Sequence, residues 1–295
     1  GDYFGASLSC DETTLIIGDP RDDRTYVYYR KTGTDSWVFK RQLNALNPYS
    51  GDAVALSGDI AVTSAAYLTS PGGEIHVFYR NQGGPDNWGL MKTLQASDTF
   101  GHNYFGYSVD CDGDTIIVGA PNAEAAYIFY RDEGGTDNWG EVKKVSIADT
   151  WFTGACVAVN SDYTVISGTR AVYDGSGVVY LLQRNEGGND NWGIIKSFEE
   201  GVPKKNDGFG AALDLNNTYL VIGSFNSYAN AYHTGYGKLH IFKKDKGGTD
   251  NWGSIKILSA PENSDRFGGR VKIHNNTLIV SHYYTGVFYY EKHTY

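Results

Sequence analysis

The phrase Gly83-Gly84-Pro85-Asp86-Asn87-Trp88-Gly89 returns with one variable position at 134–140, 187–193 and 247–253, and a reduced form, Gly33-Thr34-Asp35-Ser36-Trp37, opens the series. A chain that repeats itself at a period of about 50 residues is made of units that cannot each bury a core alone, so neighbouring units must cover one another. Each phrase follows an aromatic and β-branched run (26–29, 75–79, 126–130, 178–182, 239–242) and precedes a second run containing lysine, as in Val142-Lys143-Lys144-Val145. That order reads as strand, Gly/Asp/Asn turn, strand.

A second phrase lies between these hairpins. Phe105-Gly106-Tyr107-Ser108-Val109 is followed by an Asp112-Gly113 turn and by Thr115-Ile116-Ile117-Val118-Gly119-Ala120-Pro121. The same order runs from Phe4-Gly5 to Gly18-Asp19-Pro20, from Phe209-Gly210 to Gly223 and from Phe267-Gly268 to Ser281. Two copies lack the Phe: Ser50-Gly51 leading to Ser64, and Thr153-Gly154 leading to Gly168. Each repeat therefore holds four strands, A to D, with tight turns from A to B and from C to D. The 23 Tyr, 13 Phe and 37 Gly against a single Met agree with strands and turns rather than helices.

Four-stranded antiparallel units that need cover on both faces pack radially, which also hides most sheet edges. The expected fold is an all-β propeller of about six four-stranded blades in one domain over 1–295, with units near 1–43, 44–94, 95–145, 146–197, 198–258 and 259–295. The sixth unit ends at His293-Thr294-Tyr295 without a Trp-bearing D strand. Either the last blade has three strands, or a segment outside this chain completes the ring; seven blades is the alternative count.

Phe-Gly at the start of the unit and Gly-Ala-Pro at the end of its second strand resemble the FG-GAP repeat of integrin α-chain heads and of many bacterial and eukaryotic surface proteins. The resemblance covers the whole chain and is most specific from Phe105-Gly106 to Gly119-Ala120-Pro121. It implies a β-propeller, seven-bladed in integrins, that binds ligands through loops on one face. It also implies Ca²⁺ in an Asp-rich A–B loop, and here the chain departs from the pattern. Its A–B connections are short, as in Asp110-Cys111-Asp112-Gly113-Asp114, and a two-residue hairpin cannot wrap about six to eight oxygen ligands around an ion. No cofactor is expected, calcium at Asp110, Asp112 and Asp114 being the one alternative.

With 34 acidic against 25 basic residues the formal charge is -9, a field that repels phosphate backbones and anionic lipid, so nucleic acid is excluded as a partner. No stretch approaches the roughly 18 apolar residues that span a bilayer, and no signal sequence stands at the front. A start at Gly1 rather than Met is expected of a mature or excised product. Cys10, Cys111 and Cys156 are odd in number and form no closed disulfide framework; they read as small buried hydrophobes. The seven His lack ligand spacing for zinc.

The recurring Trp residues (37, 88, 139, 192, 252) offer flat apolar faces to a sugar, but their fixed place after each turn points to packing. The Asp before each Asn-Trp is expected to cap its own turn. Asp19-Pro20-Arg21-Asp22-Asp23-Arg24 reads as a self-compensated surface turn. Recognition belongs where the repeats differ, in the B–C and D–A loops that share one face of a propeller. Those loops (67–73, 170–177, 224–237, 282–286) are long, unequal and aromatic. They supply the ligand-binding candidates Tyr67, Tyr173, Tyr228, Tyr232, His233, Tyr236, His282 and Tyr283, aided by His102, Asn103 and Tyr104. Asn216 and Asn275 head N-x-[ST] sequons at hairpin tips and are the glycosylation candidates.

The chain is expected to be a non-enzymatic extracellular or cell-surface recognition or adhesion module that binds a protein or glycan. A structural subunit of an extracellular assembly, with neighbouring subunits as partners, is the second expectation. A propeller hydrolase or lyase comes last, because no G-x-S-x-G, Cys/His pairing or recurring acid pair is present.

Overall fold

The computed structural model describes residues 3–43, 50–68, 72–98, 101–171, 175–201, 207–225, 237–259, 267–282 and 286–291. The chain forms two compact units, 1–147 with 152–155, and 148–151 with 156–295.

The first unit holds three antiparallel sheets, each in sequence order. Sheet 1 is β1 (Ser7–Cys10), β2 (Thr14–Asp19), β3 (Arg24–Arg30) and β4 (Trp37–Leu43). Sheet 2 is β5 (Val54–Ser57), β6 (Ile60–Ala65), β7 (Glu74–Tyr79) and β8 (Gly89–Leu94). Sheet 3 is β9 (Ser108–Asp112), β10 (Thr115–Ala120), β11 (Ala125–Tyr130) and β12 (Gly140–Ser146), with a 3-10 turn at Pro121–Ala123.

In the second unit, sheet 4 splits its first strand into β13 (Thr150–Trp151) and β14 (Val157–Val159). Both pair with β15 (Tyr163–Arg170), which is followed by β16 (Gly177–Arg184) and β17 (Trp192–Glu199). Sheet 5 is β18 (Phe209–Leu215), β19 (Tyr219–Ser224), β20 (Lys238–Lys243) and β21 (Gly253–Ser259). Sheet 6 is β22 (Val271–His274), β23 (Thr277–His282) and β24 (Gly286–Glu291), three-stranded among the described residues.

Burial explains the residue choice. Every residue of β6, β10, β11 and β19 is buried, so these middle strands read as continuous apolar runs rather than as an alternation. The outer β12 and β21 are mostly half-buried or exposed and carry the lysines.

Each C–D hairpin has a β-bulge at the same place: at Val27/Tyr28, Val77/Phe78, Ile128/Phe129, Leu181/Leu182 and Ile241/Phe242. The extra residue re-aims the outer strand. The cation just beyond it reaches the next sheet's Asn-Trp turn: Arg41 donates to the Asn87 backbone and side-chain oxygens, Lys92 Nζ to Asn138 Oδ1 at 2.7 Å, and Lys196 Nζ to Asn251 Oδ1 and the Trp252 carbonyl, each at 2.7 Å.

A tyrosine completes this grip. Trp88 Nε1 donates to Tyr29 Oη, which donates to Asp86 Oδ1, both at 2.8 Å; Trp139, Tyr79 and Asp137 repeat the arrangement at the same distances. In sheet 4 the C strand offers Gln183 at that place. Tyr163, its partner in register on β15, supplies the ring instead, edge-on to Trp252 at 5.3 Å. Trp88, Trp139, Trp192 and Trp252 are buried, as packing requires, whereas Trp37 is exposed.

The expectation that the Asp before Asn-Trp caps its own turn is corrected. The turn is closed by the residue five positions earlier: Asn81, Asp132, Asn185 and Asp245 each accept the N–H of Asp86, Asp137, Asp190 and Asp250 in turn. Asp86 and Asp137 are thereby left to face the preceding sheet's tyrosine.

The two halves of the FG-GAP phrase meet across sheets. A Cβ on Gly119 would stand 1.9 Å from the Gly154 carbonyl oxygen, and Gly223 has the same relation to Gly268. Phe105, Phe209 and Phe267 fill the adjoining core. Of the cysteines, Cys111 is buried, Cys156 half-buried and Cys10 exposed, so the expected burial fails at Cys10 on the open first strand.

Candidate functional site

The D–A connection into sheet 3 is anchored before it turns outward. Tyr127 Oη donates to Asp98 Oδ1 at 2.8 Å, and Lys144 Nζ reaches Asp98 Oδ2 at 2.5 Å. The segment 102–107 then folds tightly: Asn103 is buried and accepts the Phe105 N–H at 3.0 Å, the Tyr107 N–H donates to the Tyr104 carbonyl at 3.0 Å, and His102 and Tyr104 take positive φ. Phe105 is drawn into the core while His102 and Tyr107 remain exposed on either side of it. Asn122, from the following B–C turn, donates to the His102 carbonyl at 3.0 Å.

Tyr67, from the B–C loop of sheet 2, meets this segment edge-on, its ring 5.2 Å from that of Tyr104. Behind it Asp52 accepts the Ala66 N–H at 2.9 Å and the Tyr67 N–H. Burial pushes the Asp52 carboxyl up to about 6 against the pull of these donors, and the Asp23 charge adds to the rise. Tyr67 is also raised, first by burial and then by Tyr107, Asp52 and Tyr104. A carboxyl raised to about 6 thus stands behind Tyr67, which groups with Tyr104 and Tyr107; Tyr67 and Tyr107 are exposed. Flat apolar rings with hydroxyl tips, beside a group able to donate or accept, suit a ligand that is part apolar and part hydroxylated or amidic.

Of the sequence candidates, the structure therefore brings together Tyr67, His102, Asn103 and Tyr104. Tyr173, Tyr228, Tyr232, His233, Tyr236 and Tyr283 lie outside the described residues, and His282 is described only as the last residue of β23. Sequence reasoning missed Asp52 and Tyr107. The signal was available: both follow the Gly of the FG position, where other repeats carry Ala6, Ala155, Ala211 or Gly269.

Asp110 and Asp112 lie on β9, and Asp114 in the following turn accepts the Thr115 hydroxyl at 2.9 Å. Among the described residues no group of three or more His, Cys, Asp or Glu side chains is placed to hold a metal ion. Glu74 and His76 approach to 2.8 Å on β7, but both are buried beneath the Phe-Gly turn, where a substrate has no access. Arg24 lies 3.7 Å from Asp22 in the 19–24 turn, an ion pair between exposed side chains.

The sequons differ. Asn216 accepts the Thr218 and Tyr219 N–H groups and donates its amide to the Asn275 carbonyl at 2.9 Å. Asn275 is exposed with φ 52°.

Residues 88–142 match the FG-GAP repeat family. No curated protein matches the chain in sequence. Among solved structures, a putative 6-phosphogluconolactonase from Bacteroides uniformis superposes with a TM-score of 0.64 at 13% identity, over 94% of this chain and 77% of that one. The WD40 domain of Toxoplasma gondii coronin gives 0.59 at 8% identity, over 97% and 68%. Kluyveromyces lactis Hsv2 gives 0.54 at 14% identity, over 96% and 90%. At such identities the likeness is one of fold alone. With sheets that follow one another in chain order, Phe-Gly and Gly-Ala-Pro glycines that interlock between them, and a repeat match centred on the third sheet, the chain is an FG-GAP repeat β-propeller.

Proposed function

We propose that this propeller is a non-enzymatic recognition module, acting outside the cell or at its surface, that binds a protein or glycan through its B–C and D–A loops. The observation that supports the reading is the aromatic site on sheets 2 and 3, where exposed Tyr67 and Tyr107 stand with Tyr104 and Asp52 lies behind Tyr67. These residues serve no packing role shared by the repeats. Tyr104 and Tyr107 lie on the connection that Asp98 anchors, and the Tyr67 backbone is tied back by Asp52, which lowers the ordering cost of binding.

The test is to screen the protein on glycan arrays and on intact cells, then to measure ligand affinity for Tyr67→Ala and Tyr107→Ala. Truncating a central aromatic costs about 2 kcal/mol or more, so each variant is expected to bind roughly 30-fold less tightly at unchanged melting temperature. Full affinity in the double variant would sink the reading.

A further inference from the structure

One tight turn recurs at the FG position. The carbonyls of Tyr3, Tyr104, Phe152 and Gly208, each directly before the Phe or Thr of that position, accept the N–H three residues on at 3.0, 3.0, 3.0 and 3.1 Å. At this place φ is 57° for Tyr104, 52° for Phe152 and 70° for Gly208. Gly208 is the residue that such a backbone suits, because in the left-handed region a Cβ crowds the following carbonyl. Phe152 is nevertheless 54% exposed, so burial does not account for a large ring there. An aromatic that neither the backbone nor the core asks for points to a role at the surface.

Phe152 extends the aromatic site of sheets 2 and 3. Residues 152–155 belong to the same compact unit as these sheets, and their turn is seated on sheet 3. Ser108 Oγ donates to the Gly154 carbonyl at 2.8 Å, and a Cβ on Gly154 would stand 2.5 Å from the Ala125 carbonyl oxygen and 3.0 Å from the Ala120 nitrogen. Ala120 ends β10 and Ala125 begins β11, so Gly154 lies at the base of the B–C turn between them. From the same turn Asn122 reaches the His102 carbonyl, two residues before Tyr104. Tyr104 and Phe152 therefore border one turn, from matching positions of successive repeats.

We infer that the ligand of this site is an uncharged glycan chain, Tyr67 and Tyr104 taking one part of it and Phe152 another. The inference rests on the recognition reading above and narrows it. Exposed Asn122 and Glu124 lie on the turn between Tyr104 and Phe152, so the flat rings are parted by polar groups. A sugar chain alternates in the same way, apolar ring faces recurring among hydroxyls, whereas the buried centre of a protein interface is depleted of charge. Asp52 and Glu124, with the Asp23 charge felt at Asp52, repel sulfated or uronate chains. Arg24 and Lys144, basic groups of sheets 1 and 3, are paired with Asp22 and Asp98.

Native electrophoresis through gels containing a neutral β-glucan, galactomannan or xylan is expected to retard the protein in at least one of them, and gels containing heparin or polygalacturonate to leave it unretarded. With oligosaccharides of the retarding polymer, calorimetry is expected to show a hexasaccharide binding about tenfold or more tighter than a disaccharide. Phe152→Gly is expected to remove that gain, to leave disaccharide affinity unchanged, and to melt within about 2 °C of the parent, since glycine suits the left-handed backbone. Affinity independent of chain length, an equal loss for both oligosaccharides, a larger drop in melting temperature, or retardation by the acidic polymers would each overturn the inference. Cell binding that survives deglycosylation of the cells and is abolished by protease, with no neutral polysaccharide retarding the protein, would overturn it while leaving the recognition reading in place. Binding to neither cells nor polysaccharides would remove both.

Discussion

Asp52 occupies a position where its counterparts are Tyr107 and otherwise Ala or Gly, and its placement behind Tyr67 sets a pH dependence with a definite sign. Its folded pKa, about 6, lies above the ordinary 3.8. The protonated form is therefore favoured by folding, so the stability this group contributes is fully present below 3.8 and is lost as pH rises through 6. Asp52→Asn keeps an oxygen for the Ala66 and Tyr67 N–H groups without the buried charge. It is expected to melt above the parent at about pH 7.5, with the difference vanishing near pH 4. Equal differences by calorimetry at both pH values would show that the carboxylate is not penalised. The sequons separate at this scale too. In a glycosylating secretory host, Asn275 is expected to carry glycan and Asn216 to stay bare, because the Asn216 amide nitrogen is already spent on the Asn275 carbonyl. Peptide mapping by mass spectrometry reads the two sites separately, and modification of Asn216 alone would contradict the assignment.

At the scale of the element, the Asp-Asn-Trp turn is the instructive case. Its recurrence made a strand–turn–strand unit and a packing role for Trp legible, since a fixed position after a turn is what a repeated contact demands. Its partners were not legible, because they sit in the preceding repeat: Tyr79 on β7 and Lys92 beyond the β8 bulge grip Asp137, Asn138 and Trp139 some 50 residues on. A bulge leaves no composition signal of its own, so the aim of Lys92 was hidden with it. Accepting from Trp139 and donating to Asp137, the Tyr79 hydroxyl is raised to about 12, chiefly by burial and by the Asp137 bond. Tyr79→Phe and Trp139→Phe are each expected to cost about 1 kcal/mol or more of stability through lost hydrogen bonds. In a double-mutant cycle the pair should show coupling above roughly 0.5 kcal/mol, and strict additivity in urea unfolding would mean the hydroxyl and indole act independently.

For the whole molecule, repetition is why so much could be read in advance: the phrases located the four-stranded sheets and ordered their strands. The candidate site followed a different logic. Tyr67 and Tyr104 were found by looking where repeats disagree, but Asp52 and Tyr107 hide inside the repeated phrase, one residue past its glycine, where attention goes to the shared letters. What the phrase cannot show is which copies have their interface satisfied; Trp37 and Trp88 look alike in sequence and differ in exposure. The interlocking glycines and the tyrosine–tryptophan grip carry a consequence for descent. The joints of sheet 1 with sheet 2 and of sheet 2 with sheet 3 use the same parts, handed by one repeat to the next, so a gene can gain or lose a whole repeat there and still present matching ends at the new junction. Lineages of such genes are free to change their number of blades by duplication and deletion without inventing a contact.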